Sequence, residues 1–496
     1  MRWLSLVTFL PLLGVPVLLG WRRIPDETAR LVALVASLAA FVASLGLLGR
    51  FDPAADGYQL VERATWFSSP RVEYLLGVDG LSVFLVVLTT FLTPIAILAS
   101  WKVASRVRLF LAALLVLETA CVGAFLALDL LLFFLFFEAL LFPMYLLIGV
   151  WGYGRRVYAA VKFFLYTMAG SAFLLVAILV LYRSSAALPG GPTFDVRALA
   201  GLDLPAATAT WLFLGFLVAF AVKVPLFPLH TWLPDAHTEA PTAGSVILAA
   251  VLLKLGTYGL VRFGIGLFPE VAREWATAIQ ILAVIGIVYG AAVAIAQTDL
   301  KRLIAYSSVS HLGFVVLGIF AFTEQGMTGG ILQMVNHGLS TGALFLLVGM
   351  LYDRTHTRDL GELGGTATTM PLLSGAFLVA ALSSLGLPGL NNFVGEFLVI
   401  LGTLATNRVL GAIAASGVVL AAIYLLRAYR RMAQGPAPAA HAAHPDLSVR
   451  EIALLAPVLA LMLVLGLAPG LLTDRIAPAA ARVVETAVRA TPGEAP

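Results

Sequence analysis

The stretch FLVAFAVKVPLFPLHTWLPDAHTEAPTAGSVILAAVLLKLGTYGLVRF, residues 216–263, decides the fold of this chain. It is almost entirely apolar and long enough for two membrane spans, because roughly 20 apolar residues cross the hydrocarbon core of a bilayer. Yet its apolar runs contain two lysines, Lys223 and Lys254, and Pro225 follows the first of them. Proline lacks a backbone N–H and clashes with the preceding helical turn, so the pattern predicts a helix that breaks beside a buried ammonium group.

The composition of the whole chain also indicates that the protein lies in a lipid bilayer. Of its 496 residues, 60% are hydrophobic and only 12% are charged, whereas soluble domains carry about 25% charged residues. The apolar runs do not alternate with polar residues, which excludes a β-barrel and predicts a polytopic helical membrane protein. The chain has one cysteine, Cys121, and lacks a dinucleotide-binding glycine pattern, a P-loop and a CxxC motif. These absences argue against a nucleotide or thiolate-held redox cofactor in this chain.

The apolar runs predict an all-α fold of about fourteen transmembrane spans. The first run lacks a small-x-small cleavage site, so we expect a retained span and not a signal peptide. The connections around Arg50 to Val78 and Arg183 to Ala206 are read as loops. The twelfth run is too long for one straight span and is interrupted by LGLPGLNN, which contains Pro388. The predicted spans are 2–20, 30–49, 79–101, 108–128, 130–150, 158–182, 207–228, 242–263, 274–297, 300–321, 327–352, 370–405, 408–430 and 450–472.

Spans seven and twelve are the two interrupted spans, and they lie five spans apart. A repeat unit with an odd number of spans must be inverted across the membrane, so spans 4–8 and 9–13 are predicted to form inverted repeats. The corresponding regions are 1–107 for spans one to three, 108–263 and 274–432 for the repeats, and 450–496 for span fourteen and a tail. Basic residues are more frequent in loops after odd-numbered spans, which predicts both termini on the periplasmic side of a bacterial inner membrane.

Six ionisable residues lie near the middle of predicted spans, where a charge costs about 2.5–3.5 kcal/mol on insertion scales. Each could be a static ion pair or a packed histidine, but all six lie in different spans and involve both predicted repeats. Glu118 and Asp129 are expected at the membrane interface, His230 and His237 near the membrane surface in a short connection, and the HAAH segment that ends at His444 in solvent. The six residues are Glu138, Lys223, Lys254, His311, His337 and Glu396.

Lysine, glutamate and histidine can all exchange protons, whereas arginine keeps its proton at any accessible pH. No arginine lies near the middle of a predicted span. Interrupted helices at Pro225 and Pro388 would also leave polar backbone groups for water beside the buried charges. The residues therefore favour a path for protons through the membrane.

The chain resembles the antiporter-like proton-pumping membrane subunits of respiratory complex I, a family related to the subunits of cation/proton antiporters. The resemblance covers nearly the whole sequence, and we expect the same proton-translocating activity. It implies that Glu138 and Lys223 form a pair beside a half-channel, that Lys254, His311 and His337 continue a central polar axis, and that Glu396 occupies the ionisable position of span twelve. The motifs that carry it are GVDGLS, FFLFFEALLFPMYLLIG, VKVPLFPLHTWLPDAHTEAP, LLKLGTYGLVR, DLKRLIAYSSVSHLG and NHGLSTGALFLLVG.

The resemblance also implies which partners to expect. FMN, iron–sulfur clusters and quinone would belong to other subunits of a redox enzyme, and neighbouring antiporter-like subunits and the lipid bilayer would surround this chain, with no role for nucleic acid. An alternative is a subunit of a multisubunit cation/proton antiporter, which would transport Na⁺ without quinone chemistry. A purely structural membrane scaffold is a further alternative, and it would tolerate neutral substitutions at Glu138 and Lys223.

Overall fold

A computed structural model describes residues 2–21, 23–439 and 444–489 of the chain. Within these ranges, eleven helices are long and apolar enough to cross a membrane, and a twelfth span results if Trp3–Phe9 and Pro11–Gly20, which meet at 46°, form one span. The prediction of a polytopic helical membrane protein is therefore confirmed, because apolar length is a local property that the sequence displays directly.

The N-terminal part contains four helices and a β-hairpin. Its helices are α1 (Trp3–Phe9), α2 (Gly14–Gly20), α3 (Asp26–Leu48) and α4 (Val83–Ala99), and its strands are β1 (Gln59–Ser68) and β2 (Arg71–Val78). The next part contains α5 (Val107–Leu126), α6 (Leu130–Ala139), α7 (Leu141–Trp151), α8 (Arg156–Ser184), α9 (Val196–Leu199), α10 (Ala206–Lys223), α11 (Trp232–Glu239), α12 (Thr242–Ile247) and α13 (Leu253–Gly259).

The remaining helices follow in the same order along the chain. They are α14 (Pro269–Glu274), α15 (Ala276–Ala296), α16 (Leu300–Phe320), α17 (Glu324–Thr355), α18 (Thr366–Thr369), α19 (Pro371–Ser384), α20 (Asn391–Thr406), α21 (Arg408–Ala433), α22 (Val449–Leu467) and α23 (Gly470–Arg489). The predicted tail beyond span fourteen thus contains a further helix, α23.

The hairpin corrects the all-α prediction. Strands β1 and β2 pair antiparallel, with Gln59 opposite Val78 and Ser68 opposite Arg71. Strand β2 buries most of its side chains, and the Leu75 carbonyl accepts a hydrogen bond of 2.9 Å from the Leu128 N–H. Strands of eight to ten residues are too short to produce the apolar signal of a span, so apolar length alone predicts a loop for this segment.

The most buried helices are those that carry polar side chains. The apolar window of Thr242–Ile265 is 100% buried, and those of α16 and α17 are 94% buried, whereas the window of α3 is 33% buried. Lys254, His311 and His337 lie on these central helices. The polar residues therefore face other helices and not the surrounding lipid, which is the only arrangement that keeps their cost low.

Both interrupted spans consist of two helices. Helix α10 ends at Lys223 and α11 begins at Trp232, while α19 ends at Ser384 and α20 begins at Asn391. The Trp232 indole N–H donates to the carbonyl of Val222 at 2.9 Å, which satisfies a backbone oxygen freed by the first break. In the second break Gly386 has a φ of +79°, a left-handed conformation that glycine adopts without steric cost.

Candidate functional site

The carboxylate of Glu396 forms a compact hydrogen-bonded group with residues of neighbouring helices. Its Oε1 lies 2.6 Å from Nδ1 of His311 on α16 and accepts a hydrogen bond of 2.9 Å from Nε2 of Gln333 on α17. The other ring nitrogen of His311 lies 3.0 Å from the hydroxyl of Tyr424 on α21. Glu396 is 2% exposed, so this carboxylate exchanges protons only through its protein partners or through water that enters the break.

Lys254 and His337 form the next contact of the same polar row. The Lys254 Nζ lies 2.7 Å from Nδ1 of His337 and donates to the carbonyl of Ala249 at 2.5 Å. That carbonyl belongs to a π-helical segment, Leu248–Leu252, immediately before α13. A π-helical turn disturbs the regular backbone pairing and is frequent at functional sites, and here it offers the ammonium an acceptor inside the membrane.

The two contacts lie beside each other at the centre of the bundle. The imidazole rings of His311 and His337 have centroids 5.7 Å apart. One row of four side chains therefore crosses α13, α17, α16 and α20. Its members are, in this order, Lys254, His337, His311 and Glu396. Every member of this row can gain and lose a proton, and Nε2 of His337 and Oε2 of Glu396 have no hydrogen-bond partner among the described residues.

Lys223 lies at the end of α10, where the first interrupted span breaks. It is 2% exposed, and its Nζ has no hydrogen-bond partner in the described part of the chain. The ammonium stands 4.5 Å from the ring centroid of Phe137, the residue before Glu138. Glu138 interacts electrostatically with Lys223, yet no direct ion pair joins them among the described residues. The structure thus brings the two predicted partners near each other without a direct contact.

Lys223 and Lys254 belong to helices in close contact. A Cβ on Gly256 would lie 2.8 Å from the backbone nitrogen of Val224 and 2.9 Å from the carbonyl of Phe220. Glycine therefore permits α13 to approach the end of α10 at backbone distance. This approach connects the Lys223 break with the helix that carries Lys254.

Asparagine side chains hydrogen-bond the break between α19 and α20 to α17. The Asn336 amide donates to the backbone carbonyl of Asn391 at 2.8 Å, and the Asn391 amide donates back to the carbonyl of Asn336 at 3.2 Å. The Ser383 hydroxyl donates to Oδ1 of Asn391 at 2.6 Å. A Cβ on Gly386 would lie 3.5 Å from Oε2 of Glu396, so the broken segment forms one wall around the carboxylate.

Two predicted interfacial carboxylates are buried instead. Glu118 lies in the middle of α5 and is 1% exposed, so the interfacial prediction was wrong for it. Both of its carboxylate oxygens lack a hydrogen-bond partner within the described residues. Asp129 is fully buried, but its carboxylate caps α6 by accepting from the N–H groups of Leu131 and Leu132, which gives it a structural role. Depth in the bundle depends on helix packing, which distance from a span end does not reveal.

The expectation of a surface connection at PLHTWLPDAH was also wrong. Residues Trp232–Glu239 form α11, and His237 is fully buried with its ring stacked on that of Phe345 at 4.6 Å. His230 is 3% exposed and stacks on Phe227. The sequence signal for this burial is the high density of polar residues between two apolar runs. The first three residues of the HAAH segment lie outside the described part of the chain.

Comparisons with known proteins identify the family of this chain. Residues 127–423 match the family model described as NADH:quinone oxidoreductase/Mrp antiporter, TM, and residues 58–124 match that of NADH-ubiquinone oxidoreductase chain 4, amino terminus. NADH-quinone oxidoreductase subunit M of Rhodobacter capsulatus is 47% identical over 97% of this chain and 96% of its own length. The Mycobacterium tuberculosis protein of the same name is 40% identical over 98% of this chain and 94% of its own length.

Solved structures show the same fold. A chain of respiratory complex I from Thermus thermophilus with bound NADH superposes with a TM-score of 0.89 and 33% identity, covering 98% of this chain and 99% of that one. A chain of the Mrp complex from Dietzia sp. superposes with a TM-score of 0.82 over 99% of both chains. Its 23% identity shows a shared fold only.

Proposed function

The chain belongs to the subunit M family of NADH-quinone oxidoreductases, and from that premise we propose that it translocates protons along Glu138, Lys223, Lys254, His337, His311 and Glu396. One observation carries the proposal: the contact of Lys254 with His337, and that of His311 with Glu396, lie side by side in the most buried part of the bundle. A scaffold would gain little from four buried titratable groups in one row, since each is costly to insert.

The proposed architecture is fourteen spans with two inverted repeats. The eleven long apolar helices of the described residues support this number if three further spans are counted: the bent first pair, the shorter Val83–Ala99 and the broken pair α19–α20. Breaks at corresponding positions of spans seven and twelve support the repeats 108–263 and 274–432. The distribution of basic loop residues supports both termini on the outer side of a cell inner membrane. Residues 1–107 and 450–496 would flank the repeats.

In the proposed mechanism, Glu138 and Lys223 respond to each other's charge. When Glu138 is ionised and close, it favours the ammonium form of Lys223; when the carboxylate is neutral or withdrawn, Lys223 can release its proton. The absence of a direct contact between these side chains is compatible with a pair that opens and closes. Pro225 and the break after Lys223 expose backbone groups that can bind water along the route.

The proton would then pass along the row to Glu396. A proton moves from the Lys254 ammonium to the His337 imidazole, from His337 through water to His311, and from His311 to the Glu396 carboxylate, each donor returning to its unprotonated form. Glu396 would release the proton to the outer side. Moving one charge against 100 mV costs about 2.3 kcal/mol, so the last group must hold the proton weakly enough to let it leave.

We also propose the setting of this chain. It would be a non-redox subunit of an NADH:quinone oxidoreductase, beside other antiporter-like membrane subunits, with FMN, iron–sulfur clusters and quinone in partner chains. Relatives above 40% identity that are named for this enzyme support it over the alternative, a cation/proton antiporter subunit. The 23% identity to the Mrp chain does not favour that alternative.

The test is proton pumping by the complete complex reconstituted into vesicles. Lys254→Met removes the titratable group while keeping an unbranched side chain, and we expect loss of proton transfer through this subunit. The presence of all subunits in the purified complex would verify assembly, and NADH oxidation by an artificial acceptor, which does not require the membrane arm, would show that the redox part is intact. A Lys254→Met complex that pumps the normal number of protons per NADH would contradict the proposed axis.

A further inference from the structure

A third buried lysine, besides Lys223 and Lys254, lies at the end of the bundle where α11 ends and α16 begins. Lys301, in the first turn of α16, is 4% exposed, and its ammonium donates a hydrogen bond to the carbonyl of Ala240. The ammonium stands 5.5 Å from the ring centroid of Tyr153. The predicted span 300–321 places Lys301 at its very start, and only the tertiary structure shows that this end of the helix is buried.

Charged groups connect Lys301 with the surface. Asp299 and Glu239 interact with it electrostatically, as does the cation of Arg358. The side chain of Asp299 is 28% exposed and pairs with Arg358 at 3.3 Å. Glu239 is half-buried and ends α11 immediately before Ala240. Two carboxylates that water can reach therefore flank the buried ammonium, and a carboxylate near a surface can collect protons from water.

His237 lies on the inner side of Lys301. It belongs to α11, three residues before Ala240, and both of its ring nitrogens lack a hydrogen-bond partner within the described residues. The ring lies within electrostatic range of the ammonium groups of Lys301 and Lys254, and His337 lies within range of His237. A neutral imidazole offers one nitrogen that accepts a proton and one that donates.

Helix geometry orders these groups by depth. Phe345, on which His237 stacks, follows His337 by eight residues on α17, which is about 12 Å at a rise of 1.5 Å per residue. Lys301 precedes His311 by ten residues on α16, which is about 15 Å along that helix. The depth along the helix axes therefore increases from the end of the bundle to its centre, first at Lys301, then at His237, and last at the Lys254–His337 contact.

We propose that Lys301 and His237 form the proton-uptake route that feeds the central row from the inner side of the membrane. The Lys301 ammonium gives a proton, directly or through water, to the free ring nitrogen of His237 and becomes an amine. Water at the Asp299 and Glu239 carboxylates returns a proton to Lys301. The His237 imidazolium then passes its proton, through water, to the amine form of Lys254, and the charge of Lys223 at the adjoining break sets when Lys254 accepts it. The inference rests on the function and orientation proposed above.

A static role for Lys301 predicts a different outcome. Cations at a helix C-terminus satisfy its last carbonyl groups and interact favourably with its dipole. Arg358 does so at the same helix end, where it donates to the carbonyl of Thr238 at 2.6 Å. An arginine at position 301 could serve as such a cap, because it keeps the charge and the donors, but it could not release a proton.

The deciding experiment therefore compares Lys301→Arg with Lys301→His in the complete complex in vesicles. We expect Lys301→Arg to assemble, to oxidise NADH with an artificial acceptor at the normal rate, and to lose proton transfer through this subunit. Lys301→His, which keeps a titratable group, should restore part of the pumping. Lys162→Arg is the matched control: it makes the same exchange at a lysine that pairs with Asp235 at 2.7 Å and lies outside the route, and it should leave the pumped protons per NADH unchanged.

Normal pumping by Lys301→Arg would overturn the inference and leave Lys301 as a helix cap. If Lys301→Arg does not assemble, His237→Gln decides: loss of pumping in an assembled complex supports the route, and normal pumping overturns it. Measuring Lys254→Met in the same vesicles separates this inference from the proposed function. If Lys254→Met pumps normally, the central row itself is contradicted. If Lys254→Met loses pumping while Lys301→Arg pumps normally, only the uptake route is contradicted.

Discussion

Replacing Glu396 by glutamine tests the last step of the proposed path with little change in shape. In the structure Oε1 is the atom that contacts His311 at 2.6 Å and Gln333 at 2.9 Å, and a glutamine carbonyl in that position could keep both contacts. The change removes the charge. Hydrogen bonds to a charged group contribute about 1.5–3 kcal/mol and neutral ones about 0.5–1.5 kcal/mol, so we expect a stability loss of roughly 1 kcal/mol for each of the two contacts, or about 2 kcal/mol in total.

A loss of about 2 kcal/mol lies within the ordinary range for single substitutions and is too small to unfold a subunit embedded in a bilayer and a complex. We therefore expect Glu396→Gln to assemble, to retain NADH oxidation by an artificial acceptor, and to lose coupled quinone reduction and pumping. Glu396→Asp keeps a carboxyl group beside His311 and should retain much of the activity. The assay is protons pumped per NADH in reconstituted vesicles. A Glu396→Gln complex with the wild-type ratio would show that this carboxylate is structural and that the proton leaves elsewhere.

Three further predictions concern other parts of the molecule. Lys223→Met and Glu138→Gln should each abolish proton transfer through this subunit in vesicles while the complex assembles; normal pumping by either would exclude that residue from the path. Arg262 pairs with Asp79 at 2.6 Å, and their side chains are 8% and 11% exposed. Asp79→Asn would leave the buried guanidinium without its counter-charge and should destabilise the purified complex by about 3–5 kcal/mol. Thermal unfolding measures this loss, and an unchanged midpoint would contradict the prediction. On the hairpin, burial opposes ionisation of Glu73, but hydrogen bonds from two arginines outweigh it and hold its pKa below the ordinary 4.5. Its contribution should therefore be complete above about pH 4.5 and be lost as the pH falls through the lowered pKa, and a Glu73→Gln complex whose thermal stability has the wild-type pH dependence would refute it.

The sequence identified the candidate residues but not the contacts between them. A charged residue inside an apolar run is visible in any sequence, and the cost of inserting it is local, so the six titratable positions stood out without a structure. The contacts could not be read in this way. His311 and Glu396 are 85 residues apart, and Lys254 and His337 are 83 apart, and whether such pairs meet depends on the rotation of each helix about its own axis.

The errors have related causes. His237 lies between two apolar runs, which is where surface loops usually begin, yet α11 continues the broken span and buries it. Lys301 lies at the start of α16, and the packing of that helix end against the end of α11 buries it. Glu118 was placed at an interface from its distance to a span end, whereas the packing of α5 among other helices buries it. The hairpin was missed because its strands are short and only partly apolar.

The sequence by itself determined the membrane environment, the positions of the helix breaks at Pro225 and Pro388, and the chemistry available inside the bilayer. These follow from apolar length, from the missing N–H of proline and from side-chain type, all of which are properties of consecutive residues. Only the tertiary structure decided that Lys254 meets His337 beside the His311–Glu396 contact, that Lys223 stands apart from Glu138, and that Lys301 is buried. A hydrogen bond requires two atoms within about 3 Å, and helix packing, not sequence spacing, sets that distance between residues far apart in the chain.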